Sequence, residues 1–196
     1  MRALLLLAFL AGCGCEPAPP PDPAPEPEGD PKRARANPAP TQERVGTVRF
    51  QGLKIKLPES WTKDSKPHGS QLLLFGPKDD GFKPSVQLEW KKSELPLEKW
   101  AQINVEKYDN PKSVAVVHEK GWTKLDGRRA FRMVYELTER DPNRDGKPAR
   151  FMFCDWYIQK DGHVGMLRGL ARQEDFGLRY RPFFDRVAET LRYPSR

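Results

Sequence analysis

Arg150-Phe151-Met152-Phe153-Cys154-Asp155-Trp156-Tyr157-Ile158-Gln159-Lys160-Asp161-Gly162-His163-Val164-Gly165-Met166-Leu167-Arg168-Gly169-Leu170-Ala171 is the stretch that decides the fold. Two strand-like runs flank Asp161-Gly162, a dipeptide that favours a two-residue hairpin turn. With those two residues as the loop, Lys160 pairs with His163, and the register sets Trp156 opposite Leu167, Asp155 opposite Arg168 and Cys154 opposite Gly169. Side chains alternate across a strand, so one face carries Met152, Cys154, Trp156, Ile158, Leu167 and Ala171, apolar throughout. That face is predicted core, with Gly165 and Gly169 leaving room for something to approach. The other face, with Phe153, Asp155, Tyr157, Met166, Arg168 and Leu170, is mixed.

The same alternation extends outward. Val48-Arg49-Phe50 and Leu53 to Leu57 alternate around Gln51-Gly52, which predicts a hairpin or bulged strand ending at Pro58. Gln71 to Phe75, Ser85 to Trp90, Ser113 to Glu119, Trp122 to Leu125 and Arg128 to Leu137 also read as strands, with Asp126-Gly127 as a second hairpin signal. Between them the period changes: Leu97, Trp100, Ala101, Asn104, Val105 and Tyr108 recur at helical spacing, and Pro96 is acceptable at the start. Tyr180, Phe183, Phe184, Val187 and Leu191 make the stripe of a second helix from about Leu178 to Leu191, with Pro182 in its first turn. The predicted class is α+β: an antiparallel sheet of six to eight strands flanked by helices, one after the third strand and one at the end.

Three blocks carry a resemblance. Gly52-Leu53-Lys54-Ile55-Lys56-Leu57-Pro58-Glu59-Ser60-Trp61, a strand running into Pro-x-x-Trp, resembles the opening of the PsbP-like and DcrB-like proteins. Leu125-Asp126-Gly127-Arg128-Arg129-Ala130-Phe131-Arg132-Met133-Val134-Tyr135 is similar to their Gly-x-x-Ala strand, and the closing hairpin followed by Arg179 to Val187 and a helix also fits. The resemblance spans roughly Thr47 to Tyr193 and implies an α-β-α sandwich. It implies an accessory or binding role, since the family includes photosystem II extrinsic subunits, envelope lipoproteins and a Ran-GTPase-binding protein. The family shares no catalytic motif, so no functional residue is carried over from it.

Upstream, Met1-Arg2 and the apolar run Ala3 to Ala11 are too short for a spanning helix and have the make-up of a secretory signal. Leu10-Ala11-Gly12-Cys13 resembles the lipobox of bacterial lipoproteins, which predicts a signal peptide over 1–12 and an acylated Cys13. Gly14 follows where an aspartate would hold such a protein at the inner membrane, so the outer membrane is the expected address, with the domain facing periplasm or surface. Glu16 to Pro40 holds ten of the 20 prolines, so 13–44 is predicted to be a disordered tether, the 25 residues of its proline-rich part reaching roughly 75 Å at full stretch. Residues 45–196 then form one domain of ordinary size.

The chain carries 34 Lys and Arg against 27 Asp and Glu, net +7, and from Val45 onward the balance is 29 to 21. A basic domain near a membrane is drawn to anionic headgroups or acidic glycans. The signs alternate without a basic block, so no nucleic-acid partner is expected.

Asp141-Pro142-Asn143-Arg144-Asp145-Gly146 fits the first half of a calcium loop, in which Asp141, Asn143 and Asp145 would supply oxygens. Met152 stands where the closing acid belongs and four basic residues crowd the loop, so hairpin-turn chemistry is the preferred reading and calcium the alternative. His68, His118 and His163 are dispersed and support no zinc site. Cys154, Asp155 and His163 cannot form a triad, because adjacent strand residues face opposite ways. Cys15 and Cys154 could pair in an oxidising envelope, but Cys15 sits in the tether, and Cys154 is expected to be a buried free thiol. Most of the five tryptophans are expected in the core. The expected function is a membrane-anchored, non-catalytic binding domain with no cofactor and a protein partner, assisting a complex or transport system. The competing class is a metal-dependent enzyme or hydrolase using the 141–146 loop.

Overall fold

A computed structural model describes residues 44–64, 69–79, 81–141 and 146–193. The strands are β1 (Val45–Phe50), β2 (Leu53–Pro58), β3 (Thr62–Lys63), β4 (Gln71–Phe75), β5 (Ser85–Lys92), β6 (Ala115–Leu125), β7 (Arg128–Arg140), β8 (Pro148–Lys160) and β9 (His163–Arg172). Helix α1 (Leu97–Tyr108) follows β5, and after β9 come the short turn α2 (Gln173–Asp175), a π-helical turn at Phe176–Tyr180 and α3 (Arg181–Glu189). Seven strands form one antiparallel sheet in the order β3-β4-β5-β9-β8-β7-β6, while β1 and β2 form a separate two-stranded sheet, with Lys54 of β2 also bridged to Arg192. The fold is α+β, as its patterning requires.

The β8–β9 register is the one dictated by Asp161-Gly162: Lys160 faces His163, Trp156 faces Leu167, Asp155 faces Arg168 and Cys154 faces Gly169. Three hairpins share one turn chemistry, with positive φ at both central residues: Gln51 and Gly52 (48° and 86°), Asp126 and Gly127 (49° and 73°), Asp161 and Gly162 (48° and 73°). That geometry matches strand twist and restricts the second position almost to glycine.

Three elements differ from the sequence reading. The runs read at Ser113 to Glu119 and Trp122 to Leu125 are joined in one strand, β6, which starts at Ala115, because a bulge between Val117 and Glu119 breaks the alternation without breaking the ladder. The first helix follows the fifth strand, since 45–58 is a true hairpin and the two-residue β3 is too short to show a period. The closing helix begins at Gln173 with a widened turn, which leaves Phe176, Tyr180 and Phe184 buried and Leu178 97% exposed.

The sheet is covered differently on its two faces. One face carries Met152, Cys154, Trp156, Ile158, Leu167 and Ala171, sealed by Leu53, Ile55 and Leu57 of β2 and by Phe184, Val187, Ala188 and Leu191 around α3. The room left by the two glycines is filled: a Cβ on Gly165 would lie 2.4 Å from the Trp90 ring, and one on Gly169 2.4 Å from Phe184. The opposite face is built from Phe131, Met133, Tyr135, Phe151, Phe153, Tyr157 and Met166, with Leu97 and Ala101 of α1 upon it. Here α1 packs chiefly over β6, β7 and β8.

Candidate functional site

The residues singled out in the sequence scatter. Cys13, Cys15, His68, Asn143 and Asp145 lie outside the described residues. Asp141 directly follows β7 with no exposed surface, and its carboxylate accepts from Nη2 of Arg172, itself 2% exposed, at 2.6 Å. Its backbone closes the loop, the N–H donating to the Lys147 carbonyl at 2.9 Å and the carbonyl accepting from Gly146 at 3.0 Å. Among the described residues no group of three or more His, Cys, Asp or Glu could hold a metal. Cys154 is a buried free thiol on the α3 side, and burial pushes it well above the ordinary thiol range. His163 stacks on Trp90, with ring centroids 5.7 Å apart.

The mixed face hides a polar network that the hairpin alone did not reveal. Asp155 is fully buried and takes a bidentate clasp from Arg168, Nε to Oδ1 at 2.8 Å and Nη2 to Oδ2 at 2.7 Å. Tyr157 and Tyr135 donate to Oδ2 at 3.0 and 3.3 Å, and Arg168 Nη2 also donates to the Tyr135 oxygen at 2.9 Å. Tyr108 of α1 stacks on Tyr135 with centroids 4.3 Å apart. Burial, and then the Asp155 charge, push the Tyr135 and Tyr157 phenols above their usual range. Burial alone would also raise Tyr108, but the adjacent Tyr135 and the Arg168 charge outweigh it and hold this phenol below its usual range. Burial works against charge on Arg168 as well, and Asp155 overcomes it, keeping the guanidinium ionised. The cross-strand pair was readable from the register; the tyrosines from β7 and α1 were not, because only tertiary packing brings them in.

The β6 edge presents a second constellation. Of the tryptophans, Trp90 and Trp156 are core and Trp61 and Trp100 partly buried, while Trp122 stands 43% exposed on β6. The Arg129 guanidinium lies 3.7 Å from its ring centroid and is tied to Glu98 of α1 at 2.6 Å. Phe131 supports the ring from below, edge-on at 5.1 Å. Lys120 and Lys124 flank Trp122 on the same side of the strand, with Lys120 paired to Asp109. On the other side of the strand, Glu119 accepts from Arg132 at 2.7 Å and Arg181 at 3.0 Å, and Arg132 also reaches Asp185 at 3.1 Å. Partial burial would raise the Glu119 carboxyl; the two arginines prevail and lower it. This bridge ties the edge strand to α3, so β6 is a braced edge carrying a rigid, cation-stacked indole.

The architecture recurs in solved structures. Cyanobacterial PsbP (CyanoP) from Synechocystis sp. PCC 6803 aligns with 78% of this chain and 94% of its own, at TM-score 0.55 and 9% identity. The Saccharomyces cerevisiae Ran-binding protein Mog1p covers 78% and 96%, at 0.52 and 11%. LpqN of Mycobacterium tuberculosis, involved in cell envelope biogenesis, covers 78% and 91%, at 0.53 and 12%. The fold is PsbP- and Mog1-like. No protein-family model matches the sequence, and no curated protein does.

Proposed function

We propose that this chain is an envelope lipoprotein, acylated at Cys13 and tethered through 13–44, whose α+β domain is a non-catalytic binding module for a protein partner. The partner belongs to an assembly or transport complex at the membrane, with the outer membrane as the anchor site. The carrying observation is the Trp122–Arg129 stack on the braced edge strand β6. Tryptophan and arginine dominate binding hot spots, and a sheet edge offers free backbone groups for pairing. The fold neighbours support the reading, one being a Ran-binding protein and another involved in cell envelope biogenesis. The calcium alternative is less favoured, because the Asp141 carboxylate is already engaged by Arg172.

A photo-crosslinking residue placed at Lys124 in intact envelopes tests the partner surface. A recurrent adduct that disappears in Trp122→Ala supports it; no specific adduct, or one indifferent to Trp122, overturns it. Membrane partition of Cys13→Ala tests the anchor separately, and retention of that variant in the membrane fraction would remove it.

A further inference from the structure

We propose that the cavity under the β4–β5 connection binds a single-chain amphiphile with an anionic head, a carboxylate or phosphate on an alkyl chain. The site spans β4, β5 and β9, with β8 and β7 between it and β6, and does not depend on the protein-partner reading.

The cavity measures about 350 Å³ and is lined by Phe75, Lys78, Gly81, Phe82, Lys83, Ser85 and Leu170. Its floor is one cross-strand row, Phe75 opposite Ser85 and Ser85 opposite Leu170. Its wall is fixed at several points. Gly76 N–H donates to the Pro84 carbonyl at 2.8 Å, and Asp79 and Phe82 exchange two backbone hydrogen bonds of 2.8 Å. The Asp79 carboxylate pairs with Arg179 beyond β9. Phe82 packs on Phe151 at 5.5 Å and lies under the Arg172 guanidinium at 5.2 Å. A pocket braced in this way costs little to order when a ligand enters.

The lining sorts by chemistry. Phe75, Phe82 and Leu170, each partly buried, offer an apolar interior to an alkyl chain. Ser85, 6% exposed, is the polar group at the floor. Lys78 and Lys83 are exposed at the mouth, and neither has an ion-pair partner among the described residues. Apolar walls with two exposed lysines at the rim select a ligand that is greasy at one end and anionic at the other. Two register positions along, Gln87 and Arg168 continue the same face, with Arg168 clasped by Asp155.

Calorimetric titration of the Cys13→Ala full chain, purified without detergent, with submicellar decanoate, decyl phosphate and 1-decanol tests the site. Saturable one-site binding of either anion is expected, with decanol and the Lys78→Gln/Lys83→Gln variant each about tenfold weaker, as two partly desolvated charge pairs would give. Preference for decanoate points to fatty acids, and preference for decyl phosphate to phospholipid monoesters. Ligand-induced NMR shifts should centre on Phe82 and Leu170. No saturable binding, equal affinity for decanol, an unchanged double variant, or shifts centred elsewhere would each overturn the proposal.

Discussion

Gly169→Ala is a direct probe of how the α3 layer sits on the sheet. A Cβ at that position would stand 2.4 Å from Phe184 Cγ and 2.5 and 2.6 Å from its Cδ2 and Cδ1. Carbon atoms in contact sit about 3.5–4.0 Å apart, so the ring must retreat by roughly 1 Å or more. It has nowhere to tip: Phe184 is 1% exposed, and the rings of Phe183, Tyr180 and Phe176 surround it at 5.6, 5.9 and 6.4 Å. Helix α3 must therefore lift and loosen Val187, Ala188 and Leu191, all buried against the same core. Overpacking of a filled core costs about 1–3 kcal/mol, and a rigid aromatic backed by other rings places this case at about 2–3. At about 2–4 °C per kcal/mol for a domain of this size, Tm should fall by roughly 4–12 °C. Urea unfolding followed by tryptophan fluorescence measures the loss, and Gly169→Ala/Phe184→Leu should cost less than the sum of its parts by about 1 kcal/mol. Gly177→Ala, where nothing lies within 4 Å of the new Cβ, is the control and should stay within about 0.5 kcal/mol. A Gly169→Ala protein as stable as the parent, or an additive double variant, would refute the packing argument.

Three further outcomes are expected. The Tyr135 and Tyr157 phenols are raised in the fold by burial and then by Asp155, so they contribute stability that is intact below the unfolded value of about 10 and is lost as pH climbs beyond it. Tyr108, lowered, works the other way with a single group; urea midpoints should therefore decline above about pH 10, and less steeply in Tyr157→Phe, whereas identical slopes would count against the network. Asp141→Asn removes the charge that the buried Arg172 guanidinium clasps and should cost about 3–5 kcal/mol, with millimolar calcium leaving the parent Tm unchanged; a calcium-dependent rise in Tm would favour the metal reading instead. Cys154, buried and with its thiol held protonated, should resist a thiol-disulfide reagent until urea unfolds the domain, and stoichiometric labelling of the native protein would contradict its placement.

The parts of this fold that could be read in advance are those decided by local chemistry. Asp161-Gly162 fixed a turn with two positive φ values, the turn fixed the register, and period two then assigned every side chain of β8 and β9 to a face. Helix α1 emerged with the same limits, Leu97 to Tyr108, because its stripe is interrupted by nothing. What stayed hidden depends on residues remote in sequence. Phe153, Tyr157 and Met166 looked mixed beside Asp155 and Arg168, and became core only because α1 and β7 supply Leu97, Ala101, Met133 and Tyr135 over them. Most of the tryptophans were expected inside, without a sign of which would be exposed; β6 is an edge strand, which sequence order does not disclose, so among the described residues Trp122 has a neighbouring strand on one side only. The β4–β5 cavity left no motif at all, since its character comes from a loop folded onto Leu170 of β9, far along the chain.

The Asp155–Arg168 clasp raises the question of why a face otherwise built from aromatic and aliphatic groups keeps an ion pair. Burying two charges costs several kcal/mol each in lost hydration, and even a bidentate pair with two phenols in support does not outperform well-packed apolar residues. Stability is therefore a poor explanation; register is a better one. Asp155 and Arg168 face each other across β8 and β9, and Cys154 and Gly169 beside them face the opposite layer. A one-residue slip would turn the carboxylate toward Val134, Trp156 and Phe184 on the α3 side, where the described cations beside Cys154, Arg132 and Arg181, are already engaged by Glu119 and Asp185. The pair thus costs little in the correct register and a great deal in the wrong one. Arg168→Met alone should lose about 3–5 kcal/mol by stranding Asp155, while Asp155→Leu/Arg168→Met should return to within about 1 kcal/mol of the parent or exceed it. The same double variant should refold more slowly or with a heterogeneous β8–β9 pairing, visible as doubled amide signals for Trp156 and Leu167. A double variant as unstable as the single one, or one that refolds as cleanly as the parent, would show that the clasp serves something other than register.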